Sequence, residues 1–142
     1  MRSTQRPIVG FLFGDSARTT AAFLLVAALA AAAVVAVGSA IPIGAYVAGS
    51  DVADAVGVTL LVGFNAFHAY RNRGLAACVV LASVVLFGLF VGGAIGLSAP
   101  PGWTPTLGDY LQIALGFGLV FGSAGFVAGY VVRFVSGRVR RS

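Results

Sequence analysis

Residues 71–97 read RNRGLAACVVLASVVLFGLFVGGAIGL, and this stretch decides the fold. From Leu75 to Leu97 it carries no ionisable group except Cys78. A helix needs roughly 20 predominantly apolar residues to cross the hydrocarbon core of a bilayer, and this run supplies them. It is entered through Arg71-Asn72-Arg73-Gly74, a short basic turn ending in a helix-breaking glycine. Two helices joined this tightly must lie antiparallel, side by side.

The same pattern extends outward in both directions. Towards the N-terminus, residues 52–70 form a second apolar stretch, opened by Asp51 and Asp54. Acids there complement the helix dipole and cap free N–H groups. Before it, Pro42, Gly44, Gly49 and Ser50 break the pattern, with Tyr46 as an interfacial aromatic. A further uncharged run covers residues 20–41, preceded by the capping residues Asp15 and Ser16 and by a short apolar segment, Pro7 to Phe13. Its rival reading is a cleaved signal peptide, with Arg2 and Arg6 ahead of it and Gly38-Ser39-Ala40 as the cleavage site. The run exceeds the roughly 7–15 residues of such a segment. Towards the C-terminus, Pro100, Pro101, Trp103 and Pro105 mark an irregular loop, and Asp109 caps a last run over residues 109–132, with an extension past Arg133 as a longer, tilted helix as the alternative.

Composition agrees with an origin in lipid. Of 142 residues, 59% are hydrophobic and 9% charged, with a mean hydropathy of +1.00. A soluble domain carries about 25% charged residues. The sequence therefore predicts an all-α membrane protein, one domain of four transmembrane helices arranged as two antiparallel hairpins. Segment 1–18 precedes the helices and a basic tail, 133–142, follows them. All the basic residues are arginine and all the acids aspartate. Four spans place every arginine on one face, whereas Asp51, Asp54 and Asp109 fall on the other. The positive-inside rule puts the arginine face in the cytoplasm, so both termini are expected inside the cell membrane. Arg71, Arg73, Arg133, Arg138, Arg140 and Arg141 are expected to set this topology and to hold anionic headgroups. No motif or basic-aromatic platform points to nucleic acid.

Glycine spacing is the most specific local signal. Gly88, Gly92 and Gly96 recur every four residues, and Gly118, Gly122, Gly125 and Gly129 stay on one helical face. Small residues let helix backbones approach closely in lipid. These faces would form an oligomerisation surface, or pack the third and fourth spans together within one chain. A weaker signal is a near-repeat, in which Val37-Gly38-Ser39-Ala40-Ile41 resembles Val91-Gly92-Gly93-Ala94-Ile95. The offset suits duplicated hairpins, although an alphabet rich in Ala, Val and Gly produces such matches too.

Asn65, His68 and Asn72 share one face of the second span, and buried polar groups in membrane helices are functional candidates. A histidine beside Tyr70 and Arg71 also reads as an interfacial residue in reach of water. Gln112 offers a polar contact within the bundle. Asp54 and Asp109 would meet at the outer rim if the second and fourth spans are neighbours; helix capping accounts for them without that. No second His or Cys stands at metal-ligand spacing, so neither a metal nor a cofactor is expected. No catalytic triad, metalloprotease motif or nucleotide fingerprint is present, which argues against an enzyme.

The Lys-free, Arg-and-Asp alphabet and stretches such as Gly122-Ser123-Ala124-Gly125-Phe126-Val127-Ala128-Gly129-Tyr130 resemble the uncharacterised small Gly- and Ala-rich four-helix membrane proteins of halophilic archaea. The resemblance is one of style over the whole chain and transfers no site residue. The chain lacks the first-span glutamate on which small multidrug transporters depend. The expected role is a non-enzymatic structural or accessory component acting through helix packing, with the bilayer, a second copy or another membrane protein as partner. The alternative is a small oligomeric channel or carrier for an ion or small solute, with Asn65 and His68 lining its inner end and Asp54 or Asp109 its mouth.

Overall fold

The computed structural model describes residues 10–41, 50–93 and 104–139, with the side chains of Ala53, Asp54 and Val139 outside that description. All regular structure among them is helical. Four helices follow in order: α1 Ala17–Ala40, α2 Asp51–Asn72, α3 Leu75–Val91 and α4 Leu107–Val139. A short helical turn, residues 10–13, precedes α1.

α1 and α4 begin where the sequence offers a side-chain cap, whereas α3 follows Gly74 with none. Ser16 is extended at φ −137°, and its hydroxyl accepts from the Thr19 N–H at 3.3 Å, which starts α1. α4 starts earlier than Asp109, because Thr106 is the capping residue. The Asp109 carboxylate accepts from the Thr106 N–H and hydroxyl, each at 2.8 Å, while the Asp109 N–H donates to Thr106 Oγ1 at 3.3 Å. This reciprocal pair is a capping box with Asp in the usual Glu position.

The end of α3 departs from expectation, and the end of α4 takes the longer of the two readings. α3 stops at Val91 rather than 97, since Gly92 caps it and Gly93 takes a left-handed conformation at φ +67°. Only glycine adopts that region without steric penalty. Residues 94–103 lie outside the described part, and with them Gly96 and Trp103. α4, by contrast, continues through Arg133 to Val139, so most of the expected tail is helical. At 1.5 Å per residue α3 is about 26 Å long and α4 about 50 Å.

The helices are not arranged as two equivalent hairpins. α3 and α4 pack antiparallel over most of their length, α2 lies along α4, and α1 leans on α3. α1 and α2 touch little, chiefly where Phe23 meets Phe64 and Phe67 at ring separations of 5.3 and 5.9 Å. The core clusters accordingly lie between α2, α3 and α4: Leu61, Ala82, Leu86, Phe90 and Ala114 in one, Ala69, Cys78 and Phe126 in another.

Two stretches, Gly10–Ala40 and Leu107–Arg138, are long and apolar enough to cross a membrane, with mean hydropathies of 2.6 and 1.8. The first counts the turn 10–13 and α1 as one rod, although a bend at residues 14–16 separates them. Within these apolar windows only 11% and 28% is covered by the rest of the chain. A core helix of a soluble protein would be mostly covered.

Candidate functional site

The end of the bundle that carries the 71–74 turn also collects the polar contacts, and Asn72 is their centre. Its Oδ1 accepts from the Ser16 N–H at 2.6 Å, and its Nδ2 donates to the Ser16 carbonyl at 3.0 Å and to Thr20 Oγ1 at 2.6 Å. The Asn72 carbonyl accepts from the Asp15 N–H at 2.9 Å. One buried side chain thus clamps the start of α1 to the end of α2. Close approach requires glycine at position 14: its φ is +94°, and a Cβ there would collide with the Asn72 side chain and stand 2.6 Å from its carbonyl. Arg73 follows in a left-handed conformation, φ 55°, which closes α2 and turns the chain into α3.

Around this clamp lies a charged shell. Asp15 Oδ2 is 3.7 Å from an Arg133 guanidinium nitrogen and 4.0 Å from Arg73 Nε. Arg133 also donates to the Tyr70 carbonyl at 3.2 Å, tying α4 to the end of α2. Arg71 stacks over Phe67 at 5.6 Å and Arg138 over Phe134 at 4.4 Å. Arg140 and Arg141 lie outside the described residues.

One turn deeper, Asn65 and His68 are completely buried. The reading of His68 as an interfacial residue is overturned, because Phe23 closes over its ring edge-on at 4.9 Å. His68 Nδ1 lies 3.5 Å from Cys78 Sγ, which also stands 3.6 Å from the Asn65 carbonyl. The thiol donates to that carbonyl, and His68 Nε2 has no partner. Asn65 Nδ2 donates back to Leu61, whereas its Oδ1 has no partner either. Two buried polar atoms are therefore left unsatisfied, a costly state. Sequence spacing missed the His68–Cys78 contact, yet the signal was present: both lie five residues from Arg73, on either side of a tight antiparallel turn. Among the described residues no three His, Cys, Asp or Glu side chains gather into a metal-binding group.

The glycines divide among three seams, all within the chain. A Cβ on Gly88 would stand 2.5 Å from Ala31 Cβ, one on Gly92 2.8 Å from the Val34 carbonyl, and one on Gly38 would overlap the Gly92 carbonyl. These hold α1 on α3. Gly118 sits against Ser83, and a Cβ on Gly122 would be 2.6 Å from Val79 Cα, which seals α4 on α3. Gly125 and Gly129 press instead on Asn65, Ala66 and Ala69 of α2. Gly118 and Gly122 meet α3, whereas Gly88 and Gly92 meet α1, not α4. Gln112 points outward, exposed on α4, rather than into the bundle. Asp109 is occupied in the capping box, and Asp54's side chain lies outside the description, so their meeting at a rim is not among the described contacts.

Compared with protein-family models, curated proteins and solved structures, the chain matches none.

Proposed function

We propose that this chain is a multi-pass protein of the cell membrane whose four helices all cross the bilayer, with both ends in the cytoplasm. Its role in this reading is structural or accessory, exercised through helix packing and without catalysis. The observation that carries the reading is an inverted surface. Leu25 and Leu29 of α1, Leu60 of α2, Val80 of α3 and Leu119 and Val127 of α4 are exposed, while Asn65, His68 and Ser83 are buried. In water that arrangement would expose apolar area far beyond the few hundred Å² usual for a soluble monomer. In lipid the same faces need no cover.

Helix length supports the reading for α1, α2 and α4, which exceed the hydrocarbon thickness of about 30 Å. α3 falls a few ångströms short, a mismatch that local thinning of the bilayer absorbs at small cost. The gathering of Arg71, Arg73, Arg133 and Arg138 at one end supports the inward orientation of that end. Since the described glycine seams are occupied within the chain, contact with a partner falls to the exposed apolar faces. A conduit enclosed between copies would be lined from those same faces, and Asn65 and His68 are turned away from them.

The test is the mass and composition of the tagged protein purified from its native membrane in mild detergent. A stoichiometric second membrane protein, or a homogeneous homo-oligomer, is the expected result. Recovery in the soluble fraction, or a lone monomer that moves ions across liposomes, contradicts the proposal.

A further inference from the structure

Gln112 stands on the exposed side of α4, and its side chain bonds to none of the described residues. The other side-chain amides among those residues, Asn65 and Asn72, are buried, so Gln112 is the one amide that faces outward. We propose that Gln112 and the face around it pair with the same face of a second copy of this chain, α4 against α4. This second copy is the partner that the packing role above leaves open, and its placement rests on the membrane reading.

Depth in the bilayer makes the amide decisive. Gly118 sits against Ser83, eight residues into α3 from Leu75 and so about 12 Å from the arginine end. Gln112 lies six residues from Gly118 towards the opposite end of α4, about 9 Å further. At about 21 Å it falls inside a hydrocarbon core about 30 Å thick. There its NH2 group and its carbonyl find neither water nor a partner in the chain, and leaving both unmade is costly. The exposed side of α1, by contrast, holds Leu25, Leu29 and Val37, which lipid solvates as well as another helix would. A purely apolar face does not specify its cover. An amide does, because its cover must both donate and accept.

A second copy meets that requirement by symmetry. Both copies are inserted the same way round, so the two-fold axis of a closed pair runs along the membrane normal. The axis brings Gln112 level with Gln112 of the partner subunit, and each amide donates to the other's carbonyl. The two backbones must come close for these side chains to meet, and Gly116 permits it. It lies one turn on, four residues along the same exposed side of α4, and a Cβ built there meets nothing within 4 Å. Leu115 and Leu119, 46% and 60% exposed, flank it and supply the apolar contacts. Gly118 and Gly122 take no part, since both are occupied against α3.

The experiment uses the full chain with a donor or an acceptor fluorescent protein fused to its C-terminus, the two reconstituted together in phosphatidylcholine liposomes over a range of protein-to-lipid ratios. Energy transfer reads the pair. Wild-type protein is expected to transfer well above the level of random encounter, saturating at one partner per copy. Gln112→Leu should weaken pairing about threefold to thirtyfold, the span usual for interhelical hydrogen bonds in a membrane. Because Gln112 touches no partner within the chain, this change leaves the fold of each copy alone. Gly116→Leu, which keeps the amide and holds the backbones apart, should weaken pairing at least as much. Ala32→Leu, on the exposed side of α1, should leave it unchanged.

Transfer at the random level from wild type, in protein that alkaline carbonate does not extract, overturns the pairing and leaves the membrane reading standing. Transfer that either Gln112→Leu or Gly116→Leu leaves intact overturns it too, as does an equal loss in Ala32→Leu. So does a different polypeptide held in equal amount by the protein from its native membrane and released by Gln112→Leu, which gives the face to another partner. Extraction of the native protein by carbonate defeats the membrane reading, and the proposal with it.

Discussion

Asn72 makes more of this fold than its place in a basic turn suggests. Three side-chain hydrogen bonds and one backbone bond join it to Asp15, Ser16 and Thr20. Its replacement by alanine leaves the Ser16 N–H without its partner in a half-buried site and takes from the Ser16 carbonyl one of its two donors, the other being the Thr20 N–H. We expect Asn72→Ala to destabilise the protein by about 2–3 kcal/mol, since each stranded polar group costs roughly 1–3 kcal/mol. Unfolding of the purified variant by SDS in mixed micelles measures this, and a change under about 0.5 kcal/mol would contradict the clamp, being the range of ordinary surface substitutions. Cys78 gives a second test at this scale. It is fully buried against His68, so maleimide should label it only after denaturation. Labelling of the folded protein within minutes would show that Phe23 and His68 do not close the site. The sequence made Asn65, His68 and Asn72 visible as one helical face. It did not reveal that Asn72 reaches α1, because its partners lie more than fifty residues away and nothing local marks them.

The helices carry a sharper contrast between glycines that touch and glycines that do not. A Cβ on Gly122 would press on Val79 Cα at 2.6 Å and the Cys78 carbonyl at 2.8 Å, both backbone atoms that cannot rotate away. Gly116, on the same helix, has nothing within 4 Å. Gly122→Ala should therefore destabilise by about 1–3 kcal/mol, the usual cost of overpacking. Gly116→Ala should stabilise by about 0.5–1 kcal/mol, because alanine loses less backbone freedom in a helix. The same SDS titration measures both, and shifts of equal sign would sink the assignment of the seams. Helix existence was legible from uninterrupted apolar runs, and the start of α1 from Ser16. The early end of α3 was not, because Gly92 belongs to a glycine periodicity that reads as packing and conceals its use, with Gly93, as a stop. Thr106 was overlooked for a related reason. Asp109 is the charged partner of the capping box and drew attention from the threonine that caps the helix.

At the scale of the molecule, the tight pairs are α3 with α4, α2 with α4 and α1 with α3. A chain of two equal hairpins would have packed α1 on α2 as closely as α3 on α4. Connectivity suggested that symmetry, and small residues decided against it: Gly38, Gly88 and Gly92 draw α1 onto α3, whereas α1 meets α2 through the large rings of Phe23, Phe64 and Phe67. Which faces meet depends on side-chain size on both partners, and periodicity within one helix reports on only one of them. Charge was more legible than packing, since Arg71, Arg73, Arg133 and Arg138 gather at one end as their positions along the chain imply. The cleft that Arg73, Arg133 and Arg138 line there was not legible, because it depends on how the end of α4 lies against the turn after α2, which no single helix records.

The claim on which the rest depends is that all four helices cross the bilayer with both chain ends inside. Single cysteines at Ser3, Thr104 and Ser142, each in a Cys78→Ala background, test it most directly with a membrane-impermeant maleimide. The proposed topology predicts labelling of Thr104→Cys on intact cells, and labelling of Ser3→Cys and Ser142→Cys only after permeabilisation. Protection of Thr104→Cys on intact cells, or Ser3→Cys and Ser142→Cys on opposite sides, would contradict it.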